Sequence, residues 1–258
     1  MCLLINQPKN LPALSNEWLT DFYYYNSDGI GVMYSNGRGR LVVQKALPRD
    51  EGELIEFYHR FIAGKACAWH LRMRTHGGID LANCHPYPVL NFKDHGIDLQ
   101  IMHNGVLHTG NHADDSMSDT HHFVARFLTP ILADNPSLIF NKAFQELLAD
   151  QIGAANKFIL VDSLGRTVVI NESAGVRWGG LWLSNTYAWS APGSVISKLS
   201  KWPNFSGGKN WQKGKPFDPP NRAELPVPGG ERRVLANDAY ADIWEDTSWT
   251  RLNGYDYM

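Results

Sequence analysis

The 258-residue chain has no run of about 18 apolar residues, the length a helix needs to cross a bilayer. Its opening stretch, MCLLINQPKN, lacks a charged region followed by an apolar one, so no secretory signal is expected and a cytoplasmic setting is. It has 3 cysteines, Cys2, Cys67 and Cys84. That is too few, and odd in number, for a disulfide framework. Neither sign of charge dominates: Lys plus Arg is 24, Asp plus Glu is 26, and the net charge is −2. This balance excludes the broad basic face that grips nucleic acid. Internal repeats and long low-complexity tracts are absent. Core material is plentiful, with 43% hydrophobic and 12% aromatic residues. That suffices for one large domain or two small ones.

Composition shifts near residue 198. Residues 2–197 alternate apolar runs with turn signals and are expected to form one domain. Residues 198–258 are rich in Pro, Gly and charge and are expected to form an arm and a C-terminal tail. Within the first part, strands are expected over 2–6, 31–34, 41–45, 66–72, 98–103, 157–161, 167–170 and 176–183, from short apolar or alternating runs. Helical spacing predicts helices over 14–23, 50–63, 118–132 and 137–148. Strands, then helices, then strands, without regular βα alternation, favour an α+β fold with antiparallel sheets.

Several residues could carry chemistry. If Met1 is removed, Cys2 presents a thiol and a free α-amine on one residue. Their ordinary pKa values, about 8.5 and about 7.7–8.0, let the amine take the thiol proton near neutrality. The alternative is a passive small residue. All 10 histidines fall between His59 and His122, in the same window as Cys67 and Cys84, which invites a structural metal. However, no pair has CxxC or HExxH spacing. A strand through His70–Thr75 ending at Gly77–Gly78 delivers Arg72 and Arg74 to one sheet face, a fork suited to a carboxylate. The plain alternative is an exposed basic strand. Asn104–Gly105, after the alternating run 98–103, is either a β-turn or a pair of oxyanion donors. Asp119 follows Ser118, a helix cap, and could meet a ligand ammonium.

The order of these signals is more specific than any one of them. Met1–Cys2, Ser27–Gly31, His70–Gly77, Asn83–Pro86, His103–Gly105 and Ser118–Thr120 together resemble the class II glutamine amidotransferases over about residues 2 to 190. These are N-terminal-nucleophile (Ntn) hydrolases, and the resemblance implies a four-layer αββα sandwich of two antiparallel sheets. It implies Cys2 as nucleophile, Asn104 and Gly105 as the oxyanion pair, and Arg72, with Thr75 and His76, on the glutamine α-carboxylate. Asp119 would receive the α-ammonium, and His85 would be a structural neighbour. No cofactor or metal is implied. The activity implied is a glutaminase that forms a Cys2 thioester and passes ammonia to a separate synthase or ligase, with no nucleic-acid or membrane partner. The chain departs from the family pattern at Met73, where an aromatic residue is frequent, and at Arg74, where a small one is usual. Hydrolysis of other γ-glutamyl amides and a His-rich, metal-stabilised binding module are the alternatives.

Overall fold

A computed structural model describes residues 2–74, 77–108, 116–186 and 188–189. The expected boundary near residue 198, the segment beyond it, and the expected site residues Thr75 and His76 lie outside the described residues. In chain order the elements begin with β1 (Leu3–Gln7), α1 (Asn16–Tyr25), β2 (Ile30–Ser35), β3 (Leu41–Ala46), α2 (Glu51–Phe61) and β4 (Cys67–Leu71). There follow β5 (Tyr87–Leu90), α3 (Phe92–His95), β6 (Leu99–Asn104), α4 (Asp119–Phe123), α5 (Thr129–Asp134) and α6 (Lys142–Ile152). The described part ends with β7 (Lys157–Asp162), β8 (Thr167–Ile170), β9 (Val176–Trp178) and β10 (Leu181–Leu183).

The fold is mixed α+β with two antiparallel sheets. One has the order β3-β2-β4-β1-β10-β9 and the other β5-β6-β7-β8. Strand alternation sorts the side chains. Leu3 and Ile5 of β1, with Trp69 and Leu71 of β4, pack with Leu19 and Phe22 of α1 and Leu54 and Tyr58 of α2. Leu4, Met33 and Ala68, on the other face of that sheet, join Met102, Ile159 and Val161 of the second sheet in a separate cluster. The outer face of the second sheet, through Ile101, Phe158 and Leu160, packs with Phe123, Leu132 and Leu148. The all-buried pattern of β4 follows from its place between β2 and β1 with apolar neighbours on both faces.

Several elements differ from the sequence expectation. The strand through Arg72 ends at Leu71. Arg72 and Arg74 do not share a surface: Arg72 is 4% exposed, whereas Arg74 is exposed to solvent. The helix expected over 118–132 is interrupted by a π-helical turn at Val124–Leu128. Pro130 has no N–H for an i−4 carbonyl, and the Thr129 N–H reaches back five residues to the Val124 carbonyl. The helix expected over 137–148 begins only at Lys142, because extended Asn141 caps it by accepting from the Phe144 N–H. A 3-10 turn, Pro136–Phe140, precedes it. The single strand expected over 176–183 is a hairpin, turned at Gly179 and Gly180, whose φ values of 57° and 83° suit a two-residue turn. Among the described residues, no helix is long and apolar enough to cross a membrane.

Candidate active site

Cys2 immediately precedes β1, the strand flanked by β4 and β10. The register pairs Leu3 with Leu71, so one step further sets Cys2 beside Arg72. The chain leaves the sheet there under tight control. The Arg72 N–H donates to the Gly29 carbonyl (2.8 Å) and the Asp28 N–H to the Arg72 carbonyl (2.9 Å). The Arg74 N–H donates to the Asp28 carboxylate (2.7 Å). The Met73 backbone thereby faces the sulfur: the Cys2 thiol donates to the Met73 carbonyl at 3.3 Å, and the Met73 N–H lies 3.5 Å from Sγ. Asn185 Nδ2 donates to the Cys2 carbonyl at 2.9 Å. Burial raises the Cys2 thiol pKa above its ordinary value; the Arg72 charge opposes this rise and Asp119 adds to it.

Arg72 is buried, and its Nη1 donates to the Gly78 carbonyl at 2.6 Å. Asn104 ends β6, and its Nδ2 donates to Ser184 Oγ at 2.7 Å. Ser184 Oγ also accepts the Leu4 N–H at 3.0 Å, so one hydroxyl joins the end of the second sheet to the strand that follows Cys2. Gly105 has φ of 145°, and a Cβ there would lie 2.0 Å from Asn156 Oδ1. That atom is in use. Asn156 Nδ2 donates to the Ile152 carbonyl, which leaves Oδ1 as acceptor for His103 Nε2 at 2.9 Å. His103 Nε2 therefore donates to Asn156, and its Nδ1 pairs with Thr120 Oγ1 at 2.7 Å. Asp119 opens α4, capped by Ser118. Its Oδ2 accepts the Leu107 N–H at 2.6 Å, and its Oδ1 accepts the Thr120 N–H at 2.8 Å. The Asp119 carboxylate thus also fixes the chain just beyond the Asn104–Gly105 turn.

Cys2, Arg72, Gly105 and Asp119 line one small cavity, together with Met73, Asn83, His85, His103, Ser118 and Thr120. Its volume of about 30 Å³ is room for about one water. Asn104 stands beside this cavity through Gly105. Two of its lining residues, His85 and His103, belong to a group of three buried histidines completed by His70. The His70 and His85 rings are 4.3 Å apart between centroids, and His103 is 6.4 Å from His85. Burial lowers the pKa of all three, and the Arg72 charge further opposes protonation of His70, as its neighbour histidine does for His85. Burial also lowers Lys45, packed over the Tyr87 ring, to about 8.

Among the described residues, no three His, Cys, Asp or Glu side chains converge to hold a metal ion, despite the histidine-rich window. A larger open groove, lined by Lys142, Glu146, Glu172, Arg177 and Trp182, contains none of the expected residues. Ser184 and Asn185 escape a sequence reading, since a lone Ser-Asn after a short strand carries no motif. Asn83 and His103 stand in the quoted motifs, but spacing alone assigns them no partner.

No family model and no curated protein matches the chain. Among solved structures, it is similar to the glutamine phosphoribosylpyrophosphate amidotransferase of B. subtilis complexed with ADP and GMP. The TM-score is 0.39 at 13% identity, covering 70% of this chain and 40% of that one. A structure described as the allosteric regulatory enzyme of purine biosynthesis has the same score and identity, with 71% and 41% covered. The chain therefore spans about two fifths of the length of these structures. Likenesses this remote carry no weight for the chemistry, which rests on the geometry above.

Proposed function

We propose that residues 2–197 form a class II, Ntn-type glutamine amidotransferase domain, a four-layer αββα sandwich, that hydrolyses the glutamine side-chain amide to glutamate and ammonia. The observation that carries this reading is the shared cavity of a cysteine at position 2, a buried arginine, a carboxylate and a positive-φ glycine following an asparagine.

Burial keeps the Cys2 thiol protonated at neutral pH, so attack needs a base. Once Met1 is removed, the Cys2 α-amine supplies it from the same residue. The sulfur bonds to the amide carbon and the carbonyl π electrons move to oxygen. Asn104 Nδ2, whose second N–H is not used by Ser184, and the Gly105 N–H stabilise that charge. The tetrahedral centre collapses, the C–N bond breaks, and the amine returns its proton to the departing ammonia. Water then cleaves the γ-glutamyl thioester through a second oxyanion, giving glutamate and the free thiol. Arg72 holds the α-carboxylate and Asp119 the α-ammonium, which sets the amide in attack geometry. Thr75 and His76 complete the carboxylate site. A whole amino acid exceeds the one-water cavity, so binding opens this pocket. Ammonia passes to a separate synthase or ligase in the cytoplasm.

The test is ammonia release from glutamine by the Met1-processed protein. Cys2→Ala should abolish release while glutamine still binds, as read by ligand-induced thermal stabilisation. Release that persists in Cys2→Ala would reject the reading.

A further inference from the structure

We infer that Asn83 is a positioning residue that fixes the spacing between Arg72 and Asp119, and so selects substrates carrying both an α-carboxylate and an α-ammonium. The inference rests on the function proposed above and deepens it.

Asn83 is 1% exposed, and every polar position of its side chain is engaged. Its Nδ2 donates to the Asp80 carboxylate at 3.1 Å and to the Ser116 carbonyl at 2.9 Å. Its Oδ1 accepts the Ser118 N–H at 3.0 Å. Its own N–H donates to Asp80 Oδ1 at 2.8 Å. Two chain segments distant in sequence therefore meet on one amide. The first runs from Arg72 to Asn83, and in it the Gly78 carbonyl holds the Arg72 guanidinium. The second leads through Ser116 and Ser118 into Asp119, the first residue of α4. Gly77 shows how close the packing is: with φ of 72°, a Cβ there would lie 2.7 Å from Asn83 Oδ1 and 3.1 Å from the Ser116 carbonyl.

The cation and the carboxylate thus reach one cavity on separate segments, and Asn83 ties both. An α-amino acid presents its two charged groups at a fixed separation. A clamp reads that separation only if its own poles are fixed. No other residue type of this size supplies two donors and an acceptor from one planar group. Alanine leaves the buried Ser118 N–H without this partner and frees the Ser116 segment from it. Aspartate keeps the acceptor for Ser118 but turns a carboxylate toward Asp80.

The experiment compares Cys2 alkylation rates by two electrophiles in the Met1-processed protein. One is a diazoketone analogue of glutamine, which carries both charged groups; the other is iodoacetamide, which carries neither. Wild type should favour the diazoketone strongly, and equal rates in wild type would reject the amidotransferase reading itself. In Asn83→Ala that preference, the ratio of the two rates, should fall about tenfold or more, with the diazoketone rate carrying most of the change, alongside a similar rise in KM for glutamine and a smaller change in kcat. A wild-type preference retained in Asn83→Ala overturns the inference and leaves the function standing. If Asn83→Ala does not fold, Asn83→Asp is compared with the exchange Asn83→Asp/Asp80→Asn, which restores a donor opposite an acceptor. The exchange should recover most of the preference lost in the single variant. Equal preferences in the single and double variants overturn the inference.

Discussion

Lowering the pH from 7 to 5.5 should remove about 2.5 kcal/mol or more of folding stability, because His70 and His85 are held neutral in the interior and His103 acts in the same direction. His70, His85 and His103 are 1%, 6% and 3% exposed. The first two are packed ring against ring, where two imidazolium charges would repel. The third is held between Thr120 and Asn156. In the unfolded chain each titrates near about 6.5. Their folded pKa values are lowered, so below that point the unfolded chain binds protons that the folded one does not. Stability is therefore full above pH 6.5 and falls as the pH drops toward the folded values. Between pH 7 and 5.5 each histidine that stays neutral costs about 1.3 kcal/mol, so His70 and His85 together cost about 2.5, to which His103 adds. Ordinary carboxylates titrate near about 4, largely outside this window. Against a usual net stability of about 5–15 kcal/mol the loss is large. Urea unfolding at stepped pH reads it as a midpoint lowered by about 1 M or more for a slope of about 2 kcal/mol/M. A loss below about 1 kcal/mol over this range would refute the neutral histidine cluster.

Two further changes test the site and its support. Asn104→Ala should lower turnover by about 10²–10³, the usual worth of one oxyanion donor, in steady-state ammonia release, while Ser184 Oγ keeps its bond from Leu4. Unchanged turnover would remove Asn104 from the oxyanion role. Gly31→Ala would place a Cβ 1.8 Å from the His85 carbonyl oxygen, a backbone atom, so the strand or the His85 segment must move. The expected loss is about 3 kcal/mol, read as a Tm lower by about 6–12 °C, and a shift under about 2 °C would contradict that packing.

The elements readable in the sequence were those whose local signals agree with their packing. The helix spacing of Leu54, Ile55, Tyr58, Phe61 and Ile62 after Asp50 gives α2, and the alternation before Asn104 gives β6. What escaped was decided by single residues or distant contacts. Pro88 hides β5, which occupies the edge of its sheet, where a missing N–H is tolerated. Pro130 and Asn141 break helical runs whose hydrophobic spacing continues past them. At the site, the side chains expected to meet a ligand stand in short motifs, which local reading can find. Their holders do not: Ser184 joins Asn104 to Leu4 across 80 and 180 residues, and no periodicity encodes such a bond. The separation of Arg72 from Arg74 also follows from tertiary contacts, because Asp28 and Gly29 fix where the chain leaves the sheet.

The most direct measurement is intact-mass and peptide analysis of purified full-length protein before and after the diazoketone analogue, with and without excess glutamine. A mature chain starting at Cys2 and one adduct on that residue, suppressed by glutamine, are expected. A retained Met1, or an adduct on Cys67 or Cys84 with Cys2 untouched, would contradict it.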